Sequence, residues 1–135
     1  MEITKQIYAI DDNSDYRLLV SQVFRQELPT YGLRFFESGD ALVHHLFRGL
    51  EKPGLILLDR HMPGRDGYRT LEMLKKHPDW QIVPVIMLSS QASPQAIEAC
   101  YRAGANSFLH KPVDLDGLRH LLRSLSHYWL ELNQI

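Results

Sequence analysis

The apolar residues of this chain form short runs, and four of these runs end in polar side chains suited to phosphate and metal chemistry. Unbroken apolar runs of this length, bounded by Gly, Pro or Asp, are typical of strands buried on both faces of a parallel sheet. The four runs with their polar ends are Ile7–Ile10 with Asp11 and Asp12, Leu55–Leu58 with Asp59, Pro84–Leu88 with Ser89 and Ser90, and Ser107–His110 with Lys111 and Pro112. Leu33–Phe36 predicts a further strand.

Segments with helical spacing lie between the predicted strands. The first helix is expected to be capped by Asn13-Ser14 and to run to about Leu28. Its buried face is predicted to include Leu18, Leu19, Val23 and Phe24 and to extend to Leu28. Three further helices are expected from Ser38 through Leu50, from Gly67 to about His77, and from Ser93-Pro94 to Gly104. The last helix is expected after Asp114, and its inward face is predicted to contain Leu118, Leu121, Leu122, Leu125, Trp129 and Leu132. Strands and helices alternate, which predicts one α/β domain with a doubly wound, five-stranded parallel sheet.

The acidic residues at the strand ends predict a metal site, because parallel strands place their carboxyl ends along one edge. Two carboxylates about 4 Å apart repel by roughly 4 kcal/mol at the effective dielectric of a protein surface. A divalent cation removes this repulsion, and Mg²⁺ accepts oxygen ligands while retaining several waters. Successive strand residues point to opposite faces, so Asp11 and Asp12 can both be direct ligands only where the strand has begun to turn. One of the two is therefore expected to bind through water.

Such a site suggests phosphate chemistry, with Asp59 as the phosphoacceptor. A rigid, buried strand holds Asp59, whereas Asp11 and Asp12 open a loop. A carboxylate beside a metal can attack a phosphoryl group to give an aspartyl-phosphate, and the transfer requires alignment and charge neutralisation. Lys111 would supply a positive charge and Ser89 a hydroxyl donor. A helix N-cap is the alternative role for each aspartate taken singly, but it does not explain three acids that converge from two strands.

Taken in order, these motifs closely resemble the receiver domain of bacterial two-component response regulators. The motifs are Asp11-Asp12, the stretch Asp59-Arg60-His61-Met62-Pro63-Gly64-Arg65-Asp66-Gly67, Ser89, Ala103-Gly104-Ala105 and Lys111-Pro112, and the resemblance covers residues from about 5 to 127. It implies a flavodoxin-like (βα)5 fold of strand order 2-1-3-4-5. It also implies phosphoryl transfer from the phosphohistidine of a sensor histidine kinase to Asp59 with Mg²⁺. The chain would then be a phosphoacceptor switch and not an enzyme.

The resemblance also assigns individual roles. Asp12 and Asp59 would be direct metal ligands, with the backbone carbonyl of His61 as a third, and Asp11 would act through water. Lys111 would contact the phosphoryl group. Pro112 resembles the family's proline at that position, which is often cis, and together with Gly67 is expected to be structural.

The chain departs from the family pattern at two switch positions, and its two variable positions carry polar residues. Ser89 stands where receivers more often have Thr, which keeps the hydroxyl but loses a methyl group and some χ1 stiffness. Phe108 stands where many receivers have Tyr, so it can change rotamer but cannot make the hydroxyl hydrogen bond. His61 and Gln91 match two positions that resemble sites tuning the lifetime of the acyl phosphate in the family. A polar side chain there could orient or block a water that attacks the acyl phosphate. The alternative is that each is a solvated loop residue.

Composition narrows the remaining function classes. The formal net charge of −1 gives no electrostatic reason to expect nucleic acid or an anionic membrane as a partner. A single cysteine, Cys100, excludes an internal disulfide. The sequence shows no signal-peptide h-region and no apolar stretch of about 18 residues, so a cytoplasmic protein is expected.

The end of the sequence predicts protein contacts as the output. Residues 1–135 are expected to form a single, stand-alone receiver domain, with a core of about 5–127 and a helix extension of about 128–135. Large aromatic side chains at an edge tend to be interface anchors. Tyr128 and Trp129 are therefore predicted to extend a partner or homodimer surface formed by the fourth helix, fifth strand and fifth helix, although folding back on the core is the alternative. The tail also resembles that of stand-alone receivers that pair with phytochrome-type kinases.

Three alternatives remain. A Mg²⁺-dependent phosphatase of the haloacid-dehalogenase type requires an acid/base Asp two residues after its nucleophile, and Asp11-Asp12-Asn13-Ser14 lacks that pair. A flavodoxin would need a hydroxyl-rich phosphate loop where this chain has two anions. A receiver-like adaptor that is never phosphorylated is disfavoured by the presence of both Asp59 and Lys111.

Overall fold

Five parallel strands form the central sheet of the computed structural model, which describes residues 2–46, 48, 51–60 and 66–135. The strands are β1 (Gln6–Ile10), β2 (Gly32–Phe36), β3 (Leu55–Asp59), β4 (Val85–Ser89) and β5 (Ser107–His110). Their spatial order is β2-β1-β3-β4-β5, and every neighbouring pair is parallel. The predicted flavodoxin-like order 2-1-3-4-5 is therefore confirmed. The order changes direction between β1 and β3, which is where such sheets bind ligands.

The helices begin where the sequence supplies capping side chains. They are α1 (Ser14–Glu27), α2 (Gly39–Leu46), α3 (Gly67–Lys76), α4 (Pro94–Arg102) and α5 (Leu115–Ser126). The side chains of Asn13, Ser38, Ser93 and Asp114 each accept a backbone N–H of the first turn, as expected. Asp66 caps α3 in the same way, which was not predicted. The expected position Leu50 in the second helix lies outside the described residues.

The two faces of the sheet carry separate apolar clusters, as a doubly wound sheet requires. One cluster joins the sheet to α1 and α5 and includes Ile7, Ala9, Leu57, Leu88, Val23, Phe24, Leu118 and Leu122. The other joins it to α2, α3 and α4 and includes Tyr8, Ile10, Leu58, Met87, Leu42, Leu71, Leu74 and Cys100. Strands β3 and β4 are buried along their whole length, which explains their unbroken apolar sequence.

The predicted buried face of α1 is wrong at two positions. Leu18 and Leu19 are 63% and 42% exposed, whereas Val20, Val23 and Phe24 are buried. Each residue turns an α-helix by about 100°, so Leu18 lies about 200° from Val20 and faces away from the sheet. Spacings of three and four residues from Val20 fit the buried stripe, and the two leucines belong to a different face.

The last helix changes its hydrogen-bond spacing before it ends. Residues His127–Leu132 form a π-helix, and Asn133 N donates to Tyr128 O at 2.7 Å. The wider turn places Leu130 in the core and leaves Leu132 57% exposed, so the prediction that Leu132 lies inward is wrong. Part of the extension folds back on the domain, because Leu130 is buried in the cluster formed with α1 and α5.

Two local features escaped sequence analysis. Glu2–Ile3 and Glu51–Lys52 form a separate pair of two-residue parallel strands. Trp80, in the segment between α3 and β4, is 1% exposed and belongs to the core. Of the helices in the described part of the chain, none combines the length and hydropathy needed to cross a bilayer.

Candidate functional site

The sheet brings Asp11 and Asp59 to the same edge and the same face. Asp59 is the last residue of β3 and pairs with Leu88 of β4. Asp11 follows β1, and its backbone N–H continues the ladder by donating to Phe36 O at 3.1 Å. Because strand side chains alternate, Asp59 shares the face of Leu57, which packs towards α1 and α5.

Asp12 joins these two residues in a three-carboxylate cluster. One carboxylate oxygen from each of Asp11, Asp12 and Asp59 lies within 4.8 Å of the other two. Asp11 and Asp59 are buried and Asp12 is exposed. Strand β1 ends at Ile10, so the chain has already left the strand at both aspartates. This is the condition under which adjacent residues can face one site.

Both oxygens of the Asp11 carboxylate have protein partners. Oδ2 accepts a hydrogen bond from Lys111 Nζ at 2.7 Å, and Oδ1 accepts one from the backbone N–H of Asn13 at 2.9 Å. Arg17 Nη1 donates to the Asp11 carbonyl oxygen at 2.7 Å. The Asp11 carboxylate is therefore held by the protein, whereas that of Asp12 faces solvent.

Lys111 brings a positive charge into the cluster. Its Nζ lies 3.6 Å from Asp59 Oδ2, and its side chain is 13% exposed. The Lys111 backbone N–H donates to Ser89 O at 2.9 Å, which anchors the residue beside β4. No cis peptide bond occurs among the described residues, so the bond to Pro112 is trans and not cis.

Tyr16 is a member of the site that sequence analysis missed. Lys111 Nζ lies over the Tyr16 ring, 4.1 Å from its centroid. Burial, and next the negative charges of Asp11 and Asp59, raise the pKa of the Tyr16 phenol. The ring also lines a cavity of about 10 Å³ together with both aspartates. In the sequence, Tyr16 could have been recognised as a site residue from its position in the first turn of a helix that starts at the site.

The predicted switch residues Ser89 and Phe108 lie on β4 and β5. Ser89 is buried, and its Oγ donates to Gln91 O at 2.5 Å. The same carbonyl accepts a hydrogen bond from Arg60 Nη1, while the Gln91 residue itself is exposed. Phe108 is partly buried against the α2–α4 cluster, and its backbone N–H donates to Tyr101 Oη at 3.1 Å. The predicted site residue His61 lies outside the described residues.

Gly67 lies directly behind the phosphoacceptor candidate. A methyl group at this position would clash with the Asp59 carbonyl oxygen and lie 2.7 Å from Arg60 Cα. Both are backbone atoms, which cannot move aside as a side chain does. The first residue of α3 therefore packs against the end of β3 in a way that only glycine permits.

The donor set fits a hard divalent cation. Three carboxylates offer oxygen ligands within one small volume, and one ammonium group, Lys111, lies among them. The negative charge in excess of that ammonium group favours a bound cation, and oxygen-only ligation with solvent access suits Mg²⁺.

Comparison with known proteins identifies relatives with this architecture. A family model described as "Response regulator receiver domain" matches residues 7–123. The chain is 27% identical over 132 residues to response regulator Rcp1 of Synechocystis sp. (strain ATCC 27184 / PCC 6803 / Kazusa), covering 94% of this chain and 90% of that protein. It is 30% identical over 129 residues to the two-component response regulator ARR17 of Arabidopsis thaliana, covering 90% and 84%.

Solved structures agree with this result. The Mn²⁺-bound form of Rcp1 superposes with a TM-score of 0.86 at 26% identity, covering 98% of this chain and 99% of that one. The phosphorylated cyanobacterial phytochrome response regulator RcpA superposes with a TM-score of 0.88 at 23% identity, covering 96% of both chains. At that identity, the likeness to RcpA supports the fold alone.

Proposed function

Because the chain belongs to the response regulator receiver family and is a two-component response regulator, we propose that Asp59 is its phosphoacceptor. The observation that carries this proposal is the position of Asp59 at the end of a fully buried strand, within one cluster with Asp11, Asp12 and Lys111. The strand fixes the attacking carboxylate, the ammonium group offers charge compensation, and the exposed Asp12 marks the side open to solvent.

The transfer would proceed from the phosphohistidine of a sensor histidine kinase. A carboxylate oxygen of Asp59 attacks phosphorus, so a P–O bond forms while the donor's P–N bond breaks. The donor imidazole leaves with the electron pair of that bond and takes a proton from solvent. Lys111, at 3.6 Å from Asp59, lies where it can pair with an oxygen of the incoming phosphoryl group. The chain is the acceptor in this exchange and functions as a switch, not as an enzyme.

Asp12 and Asp59 would hold Mg²⁺ directly, and Asp11 through water. The division between the aspartates is supported by the two protein hydrogen bonds that already engage the Asp11 carboxylate. When bound, Mg²⁺ would neutralise the carboxylates and the phosphoryl oxygens during transfer. A metal site in a relative supports cation binding at this cluster, since Rcp1 has been solved in an Mn²⁺-bound form.

A phytochrome-type kinase is the proposed donor, and a protein is the proposed recipient of the signal. The support for this donor is the resemblance of the tail with Tyr128 and Trp129 to that of stand-alone receivers that pair with phytochrome-type kinases. Phosphorylation would change protein contacts on the face formed by α4, β5 and α5, which is also the proposed homodimer surface. We propose that the exchange takes place in the cytoplasm, in keeping with a single cysteine, Cys100, that is buried and free.

The structure gives no support to a phosphatase of the haloacid-dehalogenase type. Such an enzyme needs an acid/base Asp two residues after its nucleophile. Asn13 occupies that position relative to Asp11, and its side chain instead caps α1 by accepting the Tyr16 N–H. Ser14, the corresponding residue for Asp12, is the first residue of that helix.

Intact-mass measurement tests the phosphoacceptor. The protein is incubated with Mg²⁺ and acetyl phosphate, and we expect the gain of one phosphoryl group. Asp59→Asn should abolish the gain, whereas Asp79→Asn, which removes an exposed carboxylate far from the site, should label like the wild type. Full labelling of Asp59→Asn at the wild-type rate would refute the assignment.

A further inference from the structure

Tyr16 contacts the one lysine among the carboxylates of the site, and both its backbone and its side chain are held in place. Its backbone N–H donates to the capping side chain of Asn13 at 3.0 Å, which fixes the first turn of α1. Its side chain packs against the apolar cluster that joins the sheet to α1 and α5. The ring is therefore a fixed surface, and the Lys111 ammonium lies 4.1 Å from its centre.

We propose that Tyr16 is a positioning residue for phosphoryl transfer, and that its ring holds the Lys111 ammonium where Asp59 receives the phosphoryl group. This role presupposes that Asp59 is the phosphoacceptor. Tyr16 acts through Lys111 in this assignment and does not itself contact the reacting atoms.

The distances explain why Lys111 needs such a surface. Its ammonium is 2.7 Å from Asp11 but 3.6 Å from Asp59, so its strongest hydrogen bond leads away from the phosphoacceptor. Lysine carries a point charge on a flexible four-carbon stem, so a single ion pair does not determine its position. The face of an aromatic ring attracts a cation, and the attraction is greater where water is excluded. A ring on a third side restricts the ammonium to the space between the two carboxylates.

The attraction persists because the ring stays neutral. A tyrosine is already uncharged near neutral pH, and burial, followed by the charges of Asp11 and Asp59, raises the pKa of the Tyr16 phenol further. The hydroxyl group is not required for the contact with the ring face. Phenylalanine at this position should therefore serve as well as tyrosine, whereas an aliphatic side chain should not.

The first test compares phosphorylation rates with acetyl phosphate and saturating Mg²⁺. Tyr16→Leu is expected to be slower by about tenfold and Tyr16→Phe to lie within about twofold of the wild type. Tyr16→Met, with a flexible side chain, should behave like Tyr16→Leu and guards against a packing defect specific to leucine. Tyr31→Leu removes a tyrosine that directly precedes β2, at the end of the strands opposite the aspartates, and should leave the phosphorylation rate unchanged.

The second test asks whether the effect passes through Lys111. In a Lys111→Ala background, Tyr16→Leu should cause no further slowing, because coupled residues are not additive. Nuclear magnetic resonance supplies a structural readout, since the ring current of Tyr16 should shift the Lys111 methylene signals upfield in the wild type and in Tyr16→Phe, but not in Tyr16→Leu. These signals report the contact whether or not the protein is phosphorylated.

The outcomes separate this inference from the phosphoacceptor assignment. Wild-type protein that gains no phosphoryl group on Asp59 would overturn both. Normal labelling of the wild type would overturn the role of Tyr16 alone if Tyr16→Leu and Tyr16→Met match its rate. The role would fail equally if Tyr16→Leu slowed the Lys111→Ala variant as much as the wild type.

Discussion

The Lys111 ammonium lies 2.7 Å from Asp11 Oδ2, although the two residues are 100 positions apart in the chain. Each is anchored just beyond a strand by a backbone hydrogen bond, Asp11 to Phe36 and Lys111 to Ser89. The parallel sheet therefore creates this ion pair by aligning the ends of β1 and β5 with that of β3. A cation bound by the aspartates would share Asp11 with Lys111, so the two positive charges must influence each other.

Removing the lysine should strengthen metal binding. We expect Lys111→Ala to bind Mg²⁺ a few-fold more tightly, because a competing positive charge next to two of the three carboxylates is lost. Without Mg²⁺ the variant should unfold at a lower temperature, since carboxylates about 4 Å apart repel by roughly 4 kcal/mol at an effective dielectric of about 20. Mg²⁺ titration and thermal unfolding with and without EDTA measure both effects. Collapse of Mg²⁺ binding would show that Lys111 has been misplaced.

The aspartates should differ in their importance for the metal. Asp12→Asn is expected to weaken Mg²⁺ binding by about tenfold or more, equivalent to about 1.4 kcal/mol. Asp11→Asn should weaken it less, because Lys111 and Asn13 already occupy both oxygens of that carboxylate. Titration of the two variants under identical salt conditions compares them. A larger loss for Asp11→Asn would reverse the assignment of the direct and water-mediated ligands.

Glycine at position 67 should be essential for stability. Gly67→Ala is expected to destabilise the fold by about 1–3 kcal/mol, the usual range for overpacking, because its methyl group would meet the backbone of Asp59 and Arg60. Gly32→Ala is the matched control, since its methyl group would meet only the flexible side chain of Gln6. Urea unfolding of both variants measures the difference. Equal stability of the two would contradict close backbone packing behind Asp59.

The alternation of strands and helices and the acidic cluster were predictable because both depend on local sequence, whereas the strand order was implied by the resemblance to receiver domains. An unbroken apolar run that ends in Asp reports a buried strand and its exit together, and sheet topology then determines which ends meet. The four predicted helix starts rested equally on local chemistry, since each cap bonds to a backbone N–H three residues along.

What sequence analysis missed depends on rotation and on distant contacts. Tyr16 reaches Lys111 only because α1 is turned so that Val20, and not Leu18, faces the sheet. Leu130 replaces Leu132 in the core because the last helix widens into π-helical turns. Trp80 stands between Asp79 and Gln81 in a segment without strand or helix periodicity, and its burial follows from tertiary packing.

Lys75 should contribute stability that rises with pH between about 8 and 9.5. Burial lowers the pKa of Lys75 to about 8, whereas an unfolded lysine titrates near 10.4. Between these values the unfolded chain binds more protons than the folded one, so the free energy of unfolding increases with pH. Lys75→Met should remove this increase.

Urea unfolding of the wild type and Lys75→Met at three pH values in this interval provides the comparison. The interval stops below 10 because the raised pKa values of Tyr8 and Tyr31 act in the opposite direction there. The raised pKa of the buried Cys100 also acts in the opposite direction within the interval, so the difference between the wild type and Lys75→Met is the quantity that isolates the lysine. Lys75 also donates to Gln81 O and Val83 O, so the variant should have a constant offset in addition to the changed slope. Parallel pH profiles would show that burial does not perturb the lysine.

The switch in output should depend on Ser89 leaving its present hydrogen bond. Its Oγ now donates to Gln91 O at 2.5 Å, and a phosphoryl group on Asp59 would offer a charged acceptor instead. A hydrogen bond to a charged group contributes about 1.5–3 kcal/mol, whereas moving a two-state switch from 1:99 to 99:1 requires about 5.5 kcal/mol. Ser89 alone therefore supplies too little, and Lys111 is expected to contribute the remainder.

Phe108 is expected to fill the space that Ser89 leaves. This movement would disturb the hydrogen bond from the Phe108 N–H to Tyr101 Oη, and the face formed by α4, β5 and α5 would change shape as a result. Beryllofluoride, a phosphoryl mimic, should change the amide signals of this face in nuclear magnetic resonance spectra. Ser89→Ala should reduce the change, whereas Ser124→Ala, which removes an exposed hydroxyl of α5, should not. Signals that change only around Asp59 would show that the site does not communicate with this face through Ser89.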